Sequence, residues 1–236
     1  MNQFFRFPHT PHLAWLGTER PRDDKVLSKR EMHDFLAEDL VLEEKVDGAN
    51  VGISVDANLQ IRIQNRGQFL TFPYDGQFAR LHEWLCVRSE ELALALADGL
   101  ILFGEWCGAR HSLEYDALPD WYLVFDVYDR REQAFWSMER RDALVRNLGL
   151  CSVPRIGFGR FSLADLRSEV LARRSAIRSG NMEGVVARIQ GDRWTIARAK
   201  LVRPEFVQAI GSHWSRRRSE WNRCLAPEIR RAPFHA

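Results

Sequence analysis

The chain has 236 residues, 45% of them hydrophobic and 28% charged, with a formal net charge of +2. That is an ordinary globular composition, long enough for one large domain or two small ones, and too nearly neutral to argue for a polyanionic partner on charge alone. It excludes a membrane span, since no apolar run approaches the roughly 20 residues a bilayer requires. The first six residues, Met1-Asn2-Gln3-Phe4-Phe5-Arg6, carry no secretory pattern, so a cytoplasmic location is expected. Four dispersed cysteines, Cys86, Cys107, Cys151 and Cys224, form no C-x-x-C pair and read as free thiols.

In chain order, Val41–Val46 and Val51–Val55 are β-branched runs separated by the turn-forming Asp47-Gly48-Ala49-Asn50. Asp56-Ala57-Asn58 turns the chain into the alternating segment Leu59–Ile63, so the opening reads as an antiparallel meander. Phe78–Ala97 reads as one helix, its apolar face supplied by Leu81, Leu85, Leu92 and Leu96. Strands follow at Leu100–Trp106, Trp121–Tyr128, Gly184–Ile189 and Trp194–Ala199, with helices near Ser137–Leu148 and Ser162–Arg174. Strands mostly in pairs, without regular βαβ units, give an α+β fold of antiparallel sheets flanked by helices. No linker divides the chain, and the simplest parse is one domain over residues 1–210 with a basic tail over 211–236. That tail holds six arginines against two glutamates.

The chemistry concentrates at Glu43-Glu44-Lys45-Val46-Asp47-Gly48-Ala49-Asn50. A lysine at a strand end, just before an Asp-Gly turn, sits at a pocket mouth where the glycine lets backbone approach a ligand closely. The plainer reading is a hairpin with a surface lysine beside it.

Lys45-Val46-Asp47-Gly48 resembles the nucleophile motif of the covalent nucleotidyltransferases, the superfamily of ATP-dependent DNA ligases, RNA ligases and capping guanylyltransferases. Five later segments are similar to its remaining motifs, in order: Gln64-Asn65-Arg66-Gly67, Leu102-Phe103-Gly104-Glu105-Trp106, Trp121–Asp126, Met182-Glu183-Gly184-Val185-Val186 and Arg198-Ala199-Lys200. The resemblance implies that Lys45 attacks the α-phosphate of ATP, expels pyrophosphate and carries AMP as a phosphoramidate. Catalytic roles would fall to Lys45 and Lys200, and nucleotide contacts to Glu44, Val46, Asn50, Arg66, Glu105, Phe125, Glu183, Arg198 and Lys200. Glu183 would hold Mg²⁺ or Mn²⁺, an oxygen-seeking cation. Glu105 would accept from the ribose, and Phe125 would either stack on adenine or belong to the core. Arg198 stands where the family usually has lysine; it keeps the charge but cannot change protonation.

Only about thirty-six residues follow Lys200, too few for the OB-fold domain of DNA ligases and capping enzymes. The combination looks most like phage-type RNA ligases, which implies an enzyme sealing RNA ends, with an end-healing kinase–phosphatase as a possible partner. Alternatives are a DNA ligase-like or capping-type enzyme, or a non-catalytic RNA-binding module on the same fold. Arg110 and His111 are placed near the RNA, as are Arg216, Arg217 and Arg218 of the tail. Trp214 and Trp221 either stack on bases beside these arginines or dock the tail onto the domain, with the arginines then merely solvated.

Overall fold

The computed structural model describes residues 3–17, 25–208 and 220–225. Among these residues, ten strands form two antiparallel-dominated sheets. The first sheet has the order β10 (Thr195–Val202), β9 (Gly184–Gln190), β1 (Leu40–Glu44) and β8 (Arg155–Gly159). The second runs β3 (Ile61–Gln64), β2 (Ala49–Val55), β4 (Leu100–Trp106), β5 (Tyr122–Asp129) and β6 (Ala134–Phe135), and β7 (Cys151–Ser152) pairs in parallel with β5. The helices are α1 (Lys29–Leu36), α2 (Leu81–Cys86), α3 (Ser89–Leu96), α4 (Met138–Asn147), α5 (Leu163–Ala172) and α6 (Pro204–Gln208). The expected α+β class holds. Among the described residues no helix is long and apolar enough to cross a membrane, and all four cysteines are free.

Two expectations are corrected. The opening is not a meander: β1 and β2 belong to different sheets, so Asp47-Gly48 carries the chain from one sheet to the other instead of closing a hairpin. Periodicity marks a strand but does not choose its partner, and β1 pairs with β9 and β8, more than a hundred residues away in sequence. The single helix over 78–97 is two helices, because Arg88 leaves helical geometry (φ −135°). Its guanidinium turns back over the Trp84 ring and bonds the Trp84 carbonyl and Asp120. Helix α1, passed over in the sequence, has a capping box in which Ser28 and Glu31 satisfy each other's backbone amides.

Each sheet buries one face. Leu42, Val185, Ala187, Ala199 and Leu201 of the first pack under Leu166 and Val170 of α5. Val51, Ile53, Leu102 and Val127 of the second pack with Trp84, Leu85, Leu92 and Leu96 of α2 and α3. The opposite faces meet at a seam closed by the N-terminal segment. Phe7 lies between Phe103, Phe125 and Phe135, with centroids 4.9–5.5 Å apart, while the Gln64 amide donates to the Phe5 carbonyl at 2.7 Å. At Pro11–Leu13 the segment reaches β10, where the Lys200 amide donates to the Pro11 carbonyl (2.9 Å) and the Leu13 amide to the Lys200 carbonyl (2.8 Å).

Candidate nucleotide-binding site

The seam holds an open cleft enclosing about 740 Å³ of empty space, its mouth included. Lys45 follows the last residue of β1, and its amide is fixed by the Gly184 carbonyl at 2.9 Å. The first sheet contributes its cations. Antiparallel register sets Arg198 opposite Arg188 and Lys200 opposite Val186, and all four line the cleft. From the second sheet come Asn50 and Glu105, directly opposite each other across β2 and β4. Arg66, Phe125, Glu44 and Val46 also line it, so the cleft gathers every nucleotide-contact candidate except Glu183, which reaches it through Lys45.

Lys45 Nζ lies 2.7 Å from both carboxylate oxygens of Glu183, with side chains 24% and 11% exposed. Burial alone would pull the lysine towards neutrality, but the charges of Glu183, Asp47 and Glu105 outweigh it and push its pKa up to about 12. Burial raises the Glu183 carboxyl, against the pull of Lys45. Burial likewise raises Glu105 to about 7, opposed by Lys45 and reinforced by Asp47. The turn is pinned from both sides: the Gly48 amide donates to Glu105 at 3.0 Å, and Asp47 accepts from the Ser112 and Leu113 amides at 2.8 and 3.2 Å.

Phe125 owes its position to a β-bulge. The β4–β5 register shifts between Phe103 and Gly104, leaving Phe125 as the extra residue and turning it out of the alternation. Its freed carbonyl accepts from Arg141 at 2.8 Å and Arg188 at 2.9 Å. Arg188 is buried, pairing Glu43 at 2.6 Å and Asp126 at 2.8 Å, and Arg141 pairs Glu43 at 2.7 Å. Arg198 also bonds Asp126 and is flanked by the Phe7 and Phe135 rings at 4.6 and 4.2 Å. Its charge is thus engaged by Asp126 at the cleft wall. The Glu44 carboxylate is likewise committed, accepting from the Ala176 amide at 2.9 Å.

Sequence reasoning missed Phe7 and Thr10, which complete the cleft from a segment without a motif, and the Glu43–Arg188–Arg141 network behind it. Glu43 stands beside the nucleophile motif, but nothing in the sequence pairs it with arginines a hundred residues on. Arg110 and His111 lie outside the cleft lining: Arg110 pairs Glu220 at 2.8 Å and Glu114 at 3.3 Å, and His111 bonds Gln77 at 2.7 Å. Arg216, Arg217, Arg218 and Trp214 lie outside the described residues. Trp221 is described and docks on the domain, its ring 4.4 Å from the Arg80 guanidinium.

The cleft suits a nucleotide. Asn50 Oδ1 is buried without a hydrogen-bond partner, an acceptor awaiting a donor. Cations from Lys45, Arg66 and Lys200 face it, with one aromatic ring re-aimed by a bulge. No group of three or more His, Cys, Asp or Glu suited to a metal occurs among the described residues. Glu183, beside Lys45, is a carboxylate that could hold a divalent ion, with bound phosphates supplying further oxygens.

The site is thus a cleft between two antiparallel-dominated sheets, with a lysine on the link between them. The sequence profile of the RNA ligase family matches residues 38–202, more than half the chain, and the chain belongs to that family. Solved structures of Naegleria gruberi RNA ligase are similar in fold. A variant with ATP and manganese is 18% identical at a TM-score of 0.59, covering 75% of this chain and 53% of that one. Another such variant is 15% identical with a TM-score of 0.60, covering 88% and 59%. The complex with pyrophosphate is 16% identical with a TM-score of 0.59, covering 87% and 60%. This chain thus spans between about half and three-fifths of that ligase. No curated protein matches the sequence.

Proposed function

We propose that the protein is an ATP-dependent RNA ligase that carries AMP on Lys45. The observation that supports this most is Lys45 itself: an amine on the link between two sheets, in a cleft also lined by the cations Arg66 and Lys200, the acid Glu105 and the Phe125 ring. Lys45 Nζ attacks the α-phosphate of ATP, a P–N bond forms and pyrophosphate leaves. AMP then passes to an RNA 5′-phosphate, and the 3′-hydroxyl of the second end displaces it to form the phosphodiester.

The protein's task is to align these groups and neutralise oxygen charge. Lys200 supplies a cation to the phosphates, and Arg66 contacts the nucleotide or the incoming end. Arg198 shapes the wall through Asp126. Glu105 and Asn50 accept from ribose hydroxyls, and Phe125 lies against adenine. Mg²⁺ or Mn²⁺, held through Glu183, would add positive charge at the phosphates. Lys45 must lose a proton, so the Glu183 carboxylate that holds the ammonium must be engaged elsewhere when ATP is bound. Arg110, His111 and the tail arginines Arg216, Arg217 and Arg218 are assigned to RNA. An end-healing kinase–phosphatase would supply suitable ends.

Incubating the protein with ATP and Mg²⁺ and measuring intact mass tests the proposal. One AMP should appear on Lys45, and neither Lys45→Ala nor Lys45→Arg should gain it; Lys45→Arg keeps a cation beside Glu183 and should melt near wild type, whereas Lys45→Ala leaves that carboxylate unpaired and should melt lower. GTP should label poorly; equal labelling would favour a capping-type enzyme, and no labelling a binding module on the same fold.

A further inference from the structure

Residues 220–225 lie beyond the family match, yet they fasten the loop that faces the nucleophile turn. Asn222 is the centre of the attachment and is only 4% exposed. Its Nδ2 donates to the Cys107 carbonyl at 2.9 Å and the Ala109 carbonyl at 3.2 Å, and its Oδ1 accepts from the Tyr115 amide at 2.9 Å. The main chain adds two bonds: the Asn222 amide donates to Gly108 and the Arg223 amide to Tyr115, both at 2.9 Å. Tyr115, buried in its turn, accepts the Asp47 amide on its hydroxyl at 2.7 Å. One continuous run of hydrogen bonds therefore joins Asn222 to Tyr115 and Tyr115 to the residue two places after Lys45.

We propose that Asn222 is a positioning residue for the nucleophile: by fixing Tyr115 it holds the Asp47-Gly48 turn, and so the aim of Lys45 at the α-phosphate. The inference rests on the proposed adenylyl transfer to Lys45. The physical argument is one of alternatives. The Asn222 amide has both ends committed, so the 107–115 loop cannot shift without leaving buried polar atoms unpaired. Asp47 bonds that loop through its carboxylate as well as its amide, so turn and loop move together. In-line attack tolerates little error; a displacement near 1 Å can cost about a hundredfold in rate.

The test uses the full chain with Asn222→Ala, Tyr115→Phe and the double variant. AMP attachment is followed at several ATP concentrations, sealing of a pre-adenylylated RNA end is measured alongside, and melting temperature is recorded. Sealing of that substrate bypasses attack by Lys45. Each single variant should slow AMP attachment at saturating ATP by about tenfold or more, with little change in the ATP concentration giving half-maximal rate. The double variant should be no slower than the slower single one, since both break the same path. Pre-adenylylated ends should be sealed at nearly the wild-type rate. Tyr115→Phe keeps the ring and its packing, so it carries the test if Asn222→Ala fails to fold. Multiplying single effects, or equal loss of both steps, would overturn the proposal and make Asn222 a general fastener of the fold. Wild type that takes no AMP would instead overturn the adenylyl-transfer reading beneath it.

Discussion

Lys45 rests as an ammonium, because three carboxylates outweigh its burial and hold its pKa near 12. Glu183 is the largest of these influences, and replacing it should let burial win. Glu183→Gln should therefore make ligand-free Lys45 more reactive towards an amine-acylating reagent at pH 9, relative to the exposed Lys29 in the same sample, while AMP attachment falls. Peptide mass spectrometry reads the first effect and intact mass the second; unchanged acylation would show that Glu183 does not control the lysine. Glu105 gives a second check. Its folded pKa, near 7, lies above that of an unfolded glutamate, so the folded state binds the extra proton and stability falls as pH rises from about 4.5 to 7. Glu105→Gln cannot lose that proton, and it should melt a few degrees higher than wild type at pH 8 and at nearly the same temperature at pH 4.5. Lys45, Glu105 and Glu183 were legible in the sequence because they stand in motifs. The engagement of Arg198 by Asp126 and of Glu44 by Ala176 was not, since side-chain commitments depend on which strands become neighbours.

The bulge in β5 matters more to the cleft than the strand around it. It re-aims Phe125 and frees a carbonyl that would otherwise be an unpaired acceptor, and Arg141 and Arg188 satisfy it while holding Glu43 and Asp126. Breaking a buried ionic network from one side leaves uncompensated charge, so Arg188→Ala should cost roughly 3–5 kcal/mol. A fall in melting temperature of about 10 °C or more, read by calorimetry, would match that cost for a domain of this size. At the Asp47-Gly48 link, a Cβ on Gly48 would stand 2.5 Å from the Trp106 carbonyl oxygen. Gly48→Ala should push the link off β4 and depress AMP attachment far more than it depresses melting temperature. The sequence located most strands to within a residue or two, yet misread their partners at β1 and β2. Alternation reports which residues share a face, and it says nothing about which sheet receives them.

Across the whole molecule, the site exists because two sheets meet, and both ends of the described chain help fasten the meeting: Phe7 and Thr10 at the seam, Asn222 behind the nucleophile turn. For the residues that follow Lys200 we propose two roles. Residues 220–225 are bound into the fold, as Trp221 and Asn222 show, and the proposed role of Arg216, Arg217 and Arg218, argued from their charge, is in RNA binding. Replacing those three together should leave AMP attachment nearly intact and weaken sealing, with a flatter salt dependence because fewer counterions are released. Both steps measured across a salt series would show it; equal loss with a lower melting temperature would make the arginines structural.

The N-terminal segment bears on how such a domain is made. Its partners on β10 lie nearly two hundred residues away in the chain, so Pro11–Leu13 leave the ribosome long before the strand that receives them. Contacts of such separation form late and slowly. At about 5–20 residues per second, Pro11–Leu13 wait on the order of ten seconds or more for β10, whereas Phe5 and Phe7 find their partners on the second sheet earlier. Until then the seam lacks a wall. The nascent protein should thus acquire its second sheet before it acquires an ATP site, and ATP present during synthesis should protect only chains elongated well past Val202.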